Sequence, residues 1–377
     1  MCPACTSSPS CSAPVSGRSG AGVRRAGHDR GTLERLLAAL PAEAALDARI
    51  VDVPGDRPPW HASGIDVLAG DRVTTFAVGR VFLSRLLDVW IGPAFQLWFR
   101  AGGEVFRGTR ASHSFTAAAD APLELASYVP GEWADPGGAL GTDPSEYRRV
   151  TGGLSVLVVR WATGVDEDAA LRALAAAEAG GLAAGELDRR ATDVAEPDGW
   201  RYLWYLGRSE TYRADGPHIH CATDADVGIL QRDVDVPLTG ATRLRWSWRV
   251  DELPSELAED TLPTHDYLSI ALEFDNGQDL TWQWSAELPP EYGYRCPLPT
   301  WKDKETHLVV RTGTRELGGW LGEERAVRDD YTRVVGAPPA RIVRVWLIAN
   351  SLSQRGRGRC SYRDIELVDG ERAERVL

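Results

Sequence analysis

His265 and His307, with Asp266 and Glu273 among the carboxylates of the stretch from Leu262 to Tyr331, have a spacing that suits proton transfer. His265-Asp266 stands at the start of a strand pattern, Glu273 lies within it, and His307 belongs to a later strand. A carboxyl group flanked by tryptophans is pushed toward its neutral form by desolvation, and a nearby imidazole can give or take the proton. The structural alternative is that Glu273 pairs with an arginine such as Arg245 or Arg311. Arg311 is also a candidate ligand contact. Tyr294, Trp301 and Trp320 lie in loop-like sequence, where aromatic rings line clefts. A second constellation is His218-x-His220, whose period of two puts both imidazoles on one strand face, as in β-sheet metal sites. His265-Asp266 or Glu273 would complete the ligands there; hydrogen-bonded or surface histidines are the alternative.

Positioning these groups requires a sheet, and the sequence supplies one. Leu268, Ile270, Leu272 and Phe274 alternate with Ser269, Ala271, Glu273 and Asp275, the mark of a strand with one buried face. Asn276-Gly277 supplies a hairpin turn, and the chain returns with Leu280, Trp282 and Trp284 on the apolar phase. A third strand over Thr306–Arg311 sets His307 and Arg311 opposite Leu308 and Val310. Glu273, Gln283, His307 and Arg311 are thereby expected on one polar face, with the segment Ala286 to Asp303 placed to cover it.

The rest of the chain reads as further β structure. A length of 377 residues points to more than one core. Short strands over 65–67, 72–78, 95–99, 123–128 and 154–160, separated by Gly and Pro, indicate an antiparallel sandwich. Residues 166–193 are rich in Ala, Glu and Leu, with Leu171 and Leu174 at helical spacing, and predict a helical linker. Alternation of Leu244, Trp246, Trp248 and Val250 with Arg243, Arg245, Ser247 and Arg249 opens a second sandwich. The expected architecture is mainly β: two antiparallel jelly-roll, galactose-binding-like sandwiches over 31–163 and 196–377, a helical linker over 164–195, and a disordered tail over 1–30. Cys2, Cys5 and Cys11 in that tail could hold a metal, but no fourth ligand stands near. Cys221, Cys296 and Cys360 read as small buried residues.

Two resemblances accompany this reading. The run Trp60-His61-Ala62-Ser63-Gly64-Ile65-Asp66-Val67, with Gly70-Asp71-Arg72-Val73, Gly79 and Gly92-Pro93, resembles the galactophilic lectin-type domain, a jelly roll that binds galactose through calcium. The resemblance implies an Asp-rich calcium loop after the penultimate strand; this chain has Val129-Pro130-Gly131-Glu132 there, followed by Asp135, Asp143 and Glu146. From residue 200 to 368, Trp246-x-Trp248-x-Val250, Asp266-Tyr267, Phe274-Asp275, Trp282-x-Trp284-Ser285, Gly318-Gly319-Trp320 with Glu324-Arg325, Asp330-Tyr331 and Tyr362-x-Asp364-Ile365 resemble the family known as domain of unknown function 3047. That family is similar in kind to galactose-binding-like sandwiches.

The net charge of −12 argues against a nucleic-acid partner, since phosphate would be repelled. The absence of an apolar run long enough for a membrane helix argues against a membrane partner, and cytoplasmic location is the expectation. No G-x-G-x-x-G opening a helix, P-loop, G-x-S-x-G or H-E-x-x-H occurs, so no organic cofactor is expected, while a divalent metal, calcium or a transition metal, stays open. Two functions fit: an enzyme of lyase, cyclase, isomerase or hydrolase type acting on a hydroxylated or glycosylated small molecule, or a tandem carbohydrate-binding protein whose ligand is a glycan. Removing residues 1–30 is expected to leave the melting temperature and ligand response unchanged, because Ser, Gly, Pro and Arg bury too little apolar surface to offset ordering. A large loss of either would assign the cysteines a role.

Overall fold

A computed structural model of the protein describes residues 29–128, 133–178, 181–192, 194–370 and 372–377. Cys2, Cys5, Cys11 and the segment Val129-Pro130-Gly131-Glu132 lie outside the described residues. The chain is mainly β and forms two sandwiches. In the first, Ala45–Pro54, Thr151–Trp161, Arg72–Ser84 and Val89–Ile91 make one sheet, with Ser112–Thr116 paired to Arg72–Ser84. Trp60–Val67, Ala121–Ser127, Leu97–Ala101 and Glu104–Arg107 make the other. Alternation puts Val73, Ala77, Val156 and Val158 against Phe99, Leu123 and Leu125 between the sheets. Gly79, at φ +114°, passes so close to the neighbouring strand that a Cβ would stand 2.3 Å from the Gly153 carbonyl, which only glycine tolerates.

The opposite phase of the first sheet carries Phe76, Leu157, Val159 and Trp161, and helices cover it. Leu33 and Leu36 come from Arg30–Ala39, Leu171 and Leu174 from Glu167–Ala177, and Leu182 from Leu182–Ala191. The Ala-rich segment is therefore a layer of the first sandwich as well as the stretch of chain leading to the second. The N-cap of the first helix is Asp29, whose Oδ1 accepts from the Thr32 amide at 3.1 Å. Arg30 pairs with Asp52 at 2.5 Å. Asp29 and Arg30 belong to the fold, so a tail deletion that spares it ends at residue 28.

In the second sandwich a seven-stranded sheet runs in the order Arg201–Tyr202, Val227–Pro237, Arg341–Asn350, Tyr267–Phe274, Asp279–Ser285, Glu305–Thr312, Gly293–Arg295. It faces a six-stranded sheet built around Thr242–Glu252 and Arg357–Asp369. Leu268, Ile270 and Leu272 meet Trp246, Trp248, Trp282 and Trp284 between them, as their alternation predicts. The hairpin forms at the expected place, but only Gly277, not Asn276, takes positive φ. One pairing departs from the antiparallel expectation: Asp279–Ser285 and Glu305–Thr312 run parallel. No tight turn can join parallel neighbours, so residues 286–304 must cross over, and on the way they add Gly293–Arg295 as an edge strand.

The seven-stranded sheet is buried on both faces, because its second face carries Ile229, Tyr267, Ala271, Trp346 and Ile348 against Ile91, Phe95, Trp98, Tyr128 and Trp133 of the first sandwich. Arg107 crosses this junction. Its guanidinium is fully buried and donates from Nε to the Leu206 carbonyl at 2.7 Å, from Nη1 to the Ala94 carbonyl at 2.9 Å, and from Nη2 to the Val227 carbonyl at 3.1 Å. Nη1 also meets Asp226 at 3.2 Å. Arg107→Met leaves Asp226 without its cation and should lower stability by about 3–5 kcal/mol, read from urea unfolding. Adding Asp226→Asn should recover part of the loss, and equal stability of Arg107→Met and the parent would show that the junction does not depend on this contact.

Candidate functional site

The second face of the seven-stranded sheet collects polar groups at its far end, where three strands and the crossover meet. Register places Ser269 opposite Gln283, Thr281 opposite His307 and Asp279 opposite Glu305. His265 enters from the turn before Tyr267–Phe274, and Cys296 follows the edge strand Gly293–Arg295. His265, Cys296, Glu305 and His307 are all buried, and one potential ligand atom from each lies within 4.8 Å of the others.

Their hydrogen bonds fix how the groups face each other. His265 Nδ1 lies 2.7 Å from the Glu259 carbonyl, and a carbonyl only accepts, so Nδ1 carries the proton and Nε2 the lone pair. His265 Nε2 lies 3.3 Å from Cys296 Sγ. His307 Nδ1 lies 2.9 Å from Gln283 Oε1, which also accepts from Tyr294 Oη at 3.0 Å. His307 Nε2 therefore presents its lone pair toward Glu305 Oε1, 3.3 Å away, without hydrogen-bond alignment. Glu305 Oε1 accepts from Tyr267 Oη at 3.0 Å and Thr281 Oγ1 at 3.2 Å. Tyr294 stacks on His307 with ring centroids 4.8 Å apart.

Burial governs the protonation of this cluster. Burial and the adjacent His307 hold His265 down to about 3, so it is neutral at pH 7. Burial would push the Glu305 carboxyl up, but His307 and His265 overcome it and hold it at about 2. Burial and Glu305 push Asp279 well above the usual carboxylate range, and burial pushes the Cys296 thiol up.

A cleft of about 170 Å³ between the two sandwiches ends at Glu305. Leu83, Trp90, Phe95 and Tyr128 form its wall on one side, and Leu206, Ile229, Trp301 and Ile348 on the other. The polar residues on the lining are Tyr267, Thr300, Asn350, Ser353 and Glu305, of which Tyr267 and Glu305 are hydrogen-bonded to each other, and among the described residues Glu305 is the one acidic side chain there. A larger hollow of about 1040 Å³, which shares Trp90 with the cleft, has Arg110, Glu210 and Asp226 on its lining, each with a partner. There Arg110 pairs with Glu210 at 2.8 Å and Asp188 at 2.7 Å, and Asp226 meets Arg107.

The structure unites part of the expected set and disperses the rest. His265, His307 and Tyr294 come together, and Trp301 lines the cleft, with the segment Ala286 to Asp303 covering the site. Asp266 is instead a loop anchor: its carboxylate accepts from the Ser353 and Gln354 amides at 2.8 and 2.7 Å, and burial pushes it up to about 6. Glu273 takes the structural alternative, with both oxygens 2.7 Å from Arg344 Nη1 at the exposed end of its strand. Arg311 leaves the polar face because a register shift after Gln283 inserts one extra residue, which turns it to Glu316 at 2.9 Å and to Glu323. Trp320 lies on the outer sheet, 4.9 Å from His218 and 4.2 Å from the Arg363 guanidinium. His218 and His220 share a face as expected, but His220 Nδ1 meets Ser361 at 3.2 Å, and the one group of three or more potential ligands among the described residues is the buried tetrad. Asp135 and Asp143 accept backbone amides of their own loops, and Glu146 pairs with Arg149 at 2.7 Å.

Glu305, Cys296, Tyr267 and Gln283 are the members that sequence reading did not single out as site residues. The signal for Glu305 was present: Glu305-x-His307 has the spacing of one strand face, but a strand begun at Thr306 excluded it. Glu273→Gln is expected to lower stability by about 1 kcal/mol or less, because the pair is partly exposed, and to leave ligand binding unchanged. Urea unfolding beside a binding titration checks this; loss of binding at full stability would return Glu273 to the site.

Residues 198–366 match the family described as Protein of unknown function (DUF3047). No curated protein matches the sequence. Among solved structures the chain is similar to the EclA N-terminal domain, a PllA-like lectin, at 17% identity over 32% of this chain and 99% of that one, with a TM-score of 0.24. It is also similar to the xyloglucanase domain of NopAA, a type three effector from Sinorhizobium fredii in complex with cellobiose, at 10% identity over 46% of this chain and 94% of that one, with a TM-score of 0.30. Likenesses this partial assign no ligand to this chain.

Proposed function

We propose that the protein is an enzyme without an organic cofactor, acting on a small molecule held between the two sandwiches. One observation carries this reading: the apolar cleft ends at a buried carboxylate, Glu305, backed by Tyr267 and His307. Trp90, Phe95 and Trp301 suit an apolar or flat-faced body, which includes the hydrophobic face of a sugar ring. The few polar groups on the lining suit a ligand with one hydroxyl or carbonyl group. In that dry setting the Glu305 carboxylate, held ionised, can orient a bound hydroxyl and stabilise positive charge that develops beside it, while the Tyr267 hydroxyl holds the carboxylate in place. The reaction types consistent with such a site are lyase, isomerase and hydrolase.

The test compares the parent with Glu305→Gln and Trp301→Ala on small-molecule extracts, followed by mass spectrometry. The parent should deplete one component and form its product. Glu305→Gln should slow this by roughly 10² or more while still binding, and Trp301→Ala should raise KM more than it lowers kcat. Retention of a component by both the parent and Glu305→Gln, with no product from either, would favour a carbohydrate-binding or other non-catalytic role. No depletion and no retention would overturn the cleft as the functional site.

A further inference from the structure

We propose that His265, Cys296, Glu305 and His307 are the ligands of one divalent transition-metal ion of the zinc class. The inference deepens the reading of the cleft as a reacting site, and depends on that reading only for its link to turnover. Three independent features support it. The first is direction. Both imidazoles donate from Nδ1, to the Glu259 carbonyl and to Gln283 Oε1, which leaves both Nε2 lone pairs aimed into the tetrad. Carbonyl and amide oxygens in this second layer are how proteins hold imidazole ligands in the metal-binding tautomer.

The second feature is an unmet need. His307 Nε2 is buried and has no hydrogen-bond partner among the described residues, and its lone pair faces a carboxylate oxygen at 3.3 Å. Two acceptors at that distance repel unless a proton or a cation lies between them. A shared proton would call for an aligned hydrogen bond, which this approach lacks, whereas a cation at the centre of the tetrad meets Nε2, Oε1 and Sγ together. The third feature is size and charge. Bonds of about 2.0–2.3 Å in a tetrahedral site set ligand atoms about 3.3–3.7 Å apart. Two of the six separations in the tetrad, Sγ to Nε2 of His265 and Nε2 of His307 to Oε1, are 3.3 Å, and all six lie within 4.8 Å. A thiolate and a carboxylate neutralise a divalent ion, so the buried site would carry no net charge. The thiolate selects a borderline or soft metal over calcium or magnesium. Glu305 is the ligand on the cleft side, so the metal would stand one residue behind the cleft floor.

The experiment strips full-length protein with a chelator and titrates it with Co²⁺, then Zn²⁺. One Co²⁺ per chain should bind with thiolate-to-cobalt absorption in the near ultraviolet, and Zn²⁺ should displace it. Cys296→Ser should abolish that absorption, and joint replacement of Cys2, Cys5 and Cys11 by serine should preserve it. Gln283→Leu removes the acceptor that orients His307, which is also the Tyr294 hydroxyl's partner, while leaving all four ligands in place, and should weaken Zn²⁺ binding roughly 10- to 100-fold; circular dichroism verifies that each variant is folded. Absorption that is missing in the parent, or that survives Cys296→Ser and disappears with the N-terminal cysteines, overturns the site. The two proposals can fail separately. A Co²⁺ signal without turnover leaves the metal and refutes the enzyme, and Glu305-dependent turnover without a Co²⁺ signal leaves the enzyme and refutes the metal.

Discussion

The insertion of Arg107 into the second sandwich is the contact on which the cleft depends. A guanidinium removed from water is costly, and what compensates is that all three of its nitrogens donate, to fixed backbone carbonyls and one carboxylate. Those carbonyls belong to Ala94, in the first sandwich, and to Leu206 and Val227, in the second, so one planar group sets the distance between the two bodies. Tyr128, whose hydroxyl donates to the Tyr205 carbonyl, and Arg355, paired with Asp88 at 3.0 Å, repeat the connection nearer the cleft. A lysine could not substitute, because a point charge lacks the fork that reaches several acceptors in one plane.

Burying the second face of the seven-stranded sheet changes what its polar residues can do. On a solvated face Glu305 and His307 would be one more screened pair. Closed off by the first sandwich and the crossover, they sit where each charge needs a compensating neighbour and each unpartnered lone pair is expensive. Glu273 and Glu305 make the contrast within one sheet. Glu273 stands near the partly exposed end of its strand and finds Arg344, whereas among the described residues no arginine contacts the Glu305 carboxylate, which is met by imidazole, phenol and hydroxyl groups.

The strands of the sandwiches were legible because alternation of large apolar residues with polar ones is a local signal; the Leu268–Phe274 hairpin and the Trp246–Val250 strand stand where their spacing puts them. The covering role of residues 286–303 and the meeting of His265, His307 and Tyr294 were legible from the same pattern. What failed depended on pairing rather than on pattern. The extra residue after Val309 turns Arg311 away, and nothing local announces it. Parallel pairing of Asp279–Ser285 with Glu305–Thr312 depends on where a crossover lands, which one strand's sequence does not encode. Cys296 looked like a filler because an isolated cysteine acquires meaning only from the histidine that another loop brings to it.

The parallel pair also explains why the site stands at this end of the sheet. Because the chain must cross over between Ser285 and Glu305, it returns along the sheet edge, pairs Gly293–Arg295 with Glu305–Thr312, and lays Tyr294 on His307 before Cys296 turns inward. The same crossover then reaches Trp301, which packs on Trp346 at 6.0 Å and forms part of the cleft wall. A hairpin at this position would have left the strand edge open to water and the two imidazoles solvated. The crossover instead supplies one member of the tetrad, the ring that covers another, and a side of the path by which a ligand reaches Glu305, so that a single topological choice couples the buried cluster to the cleft.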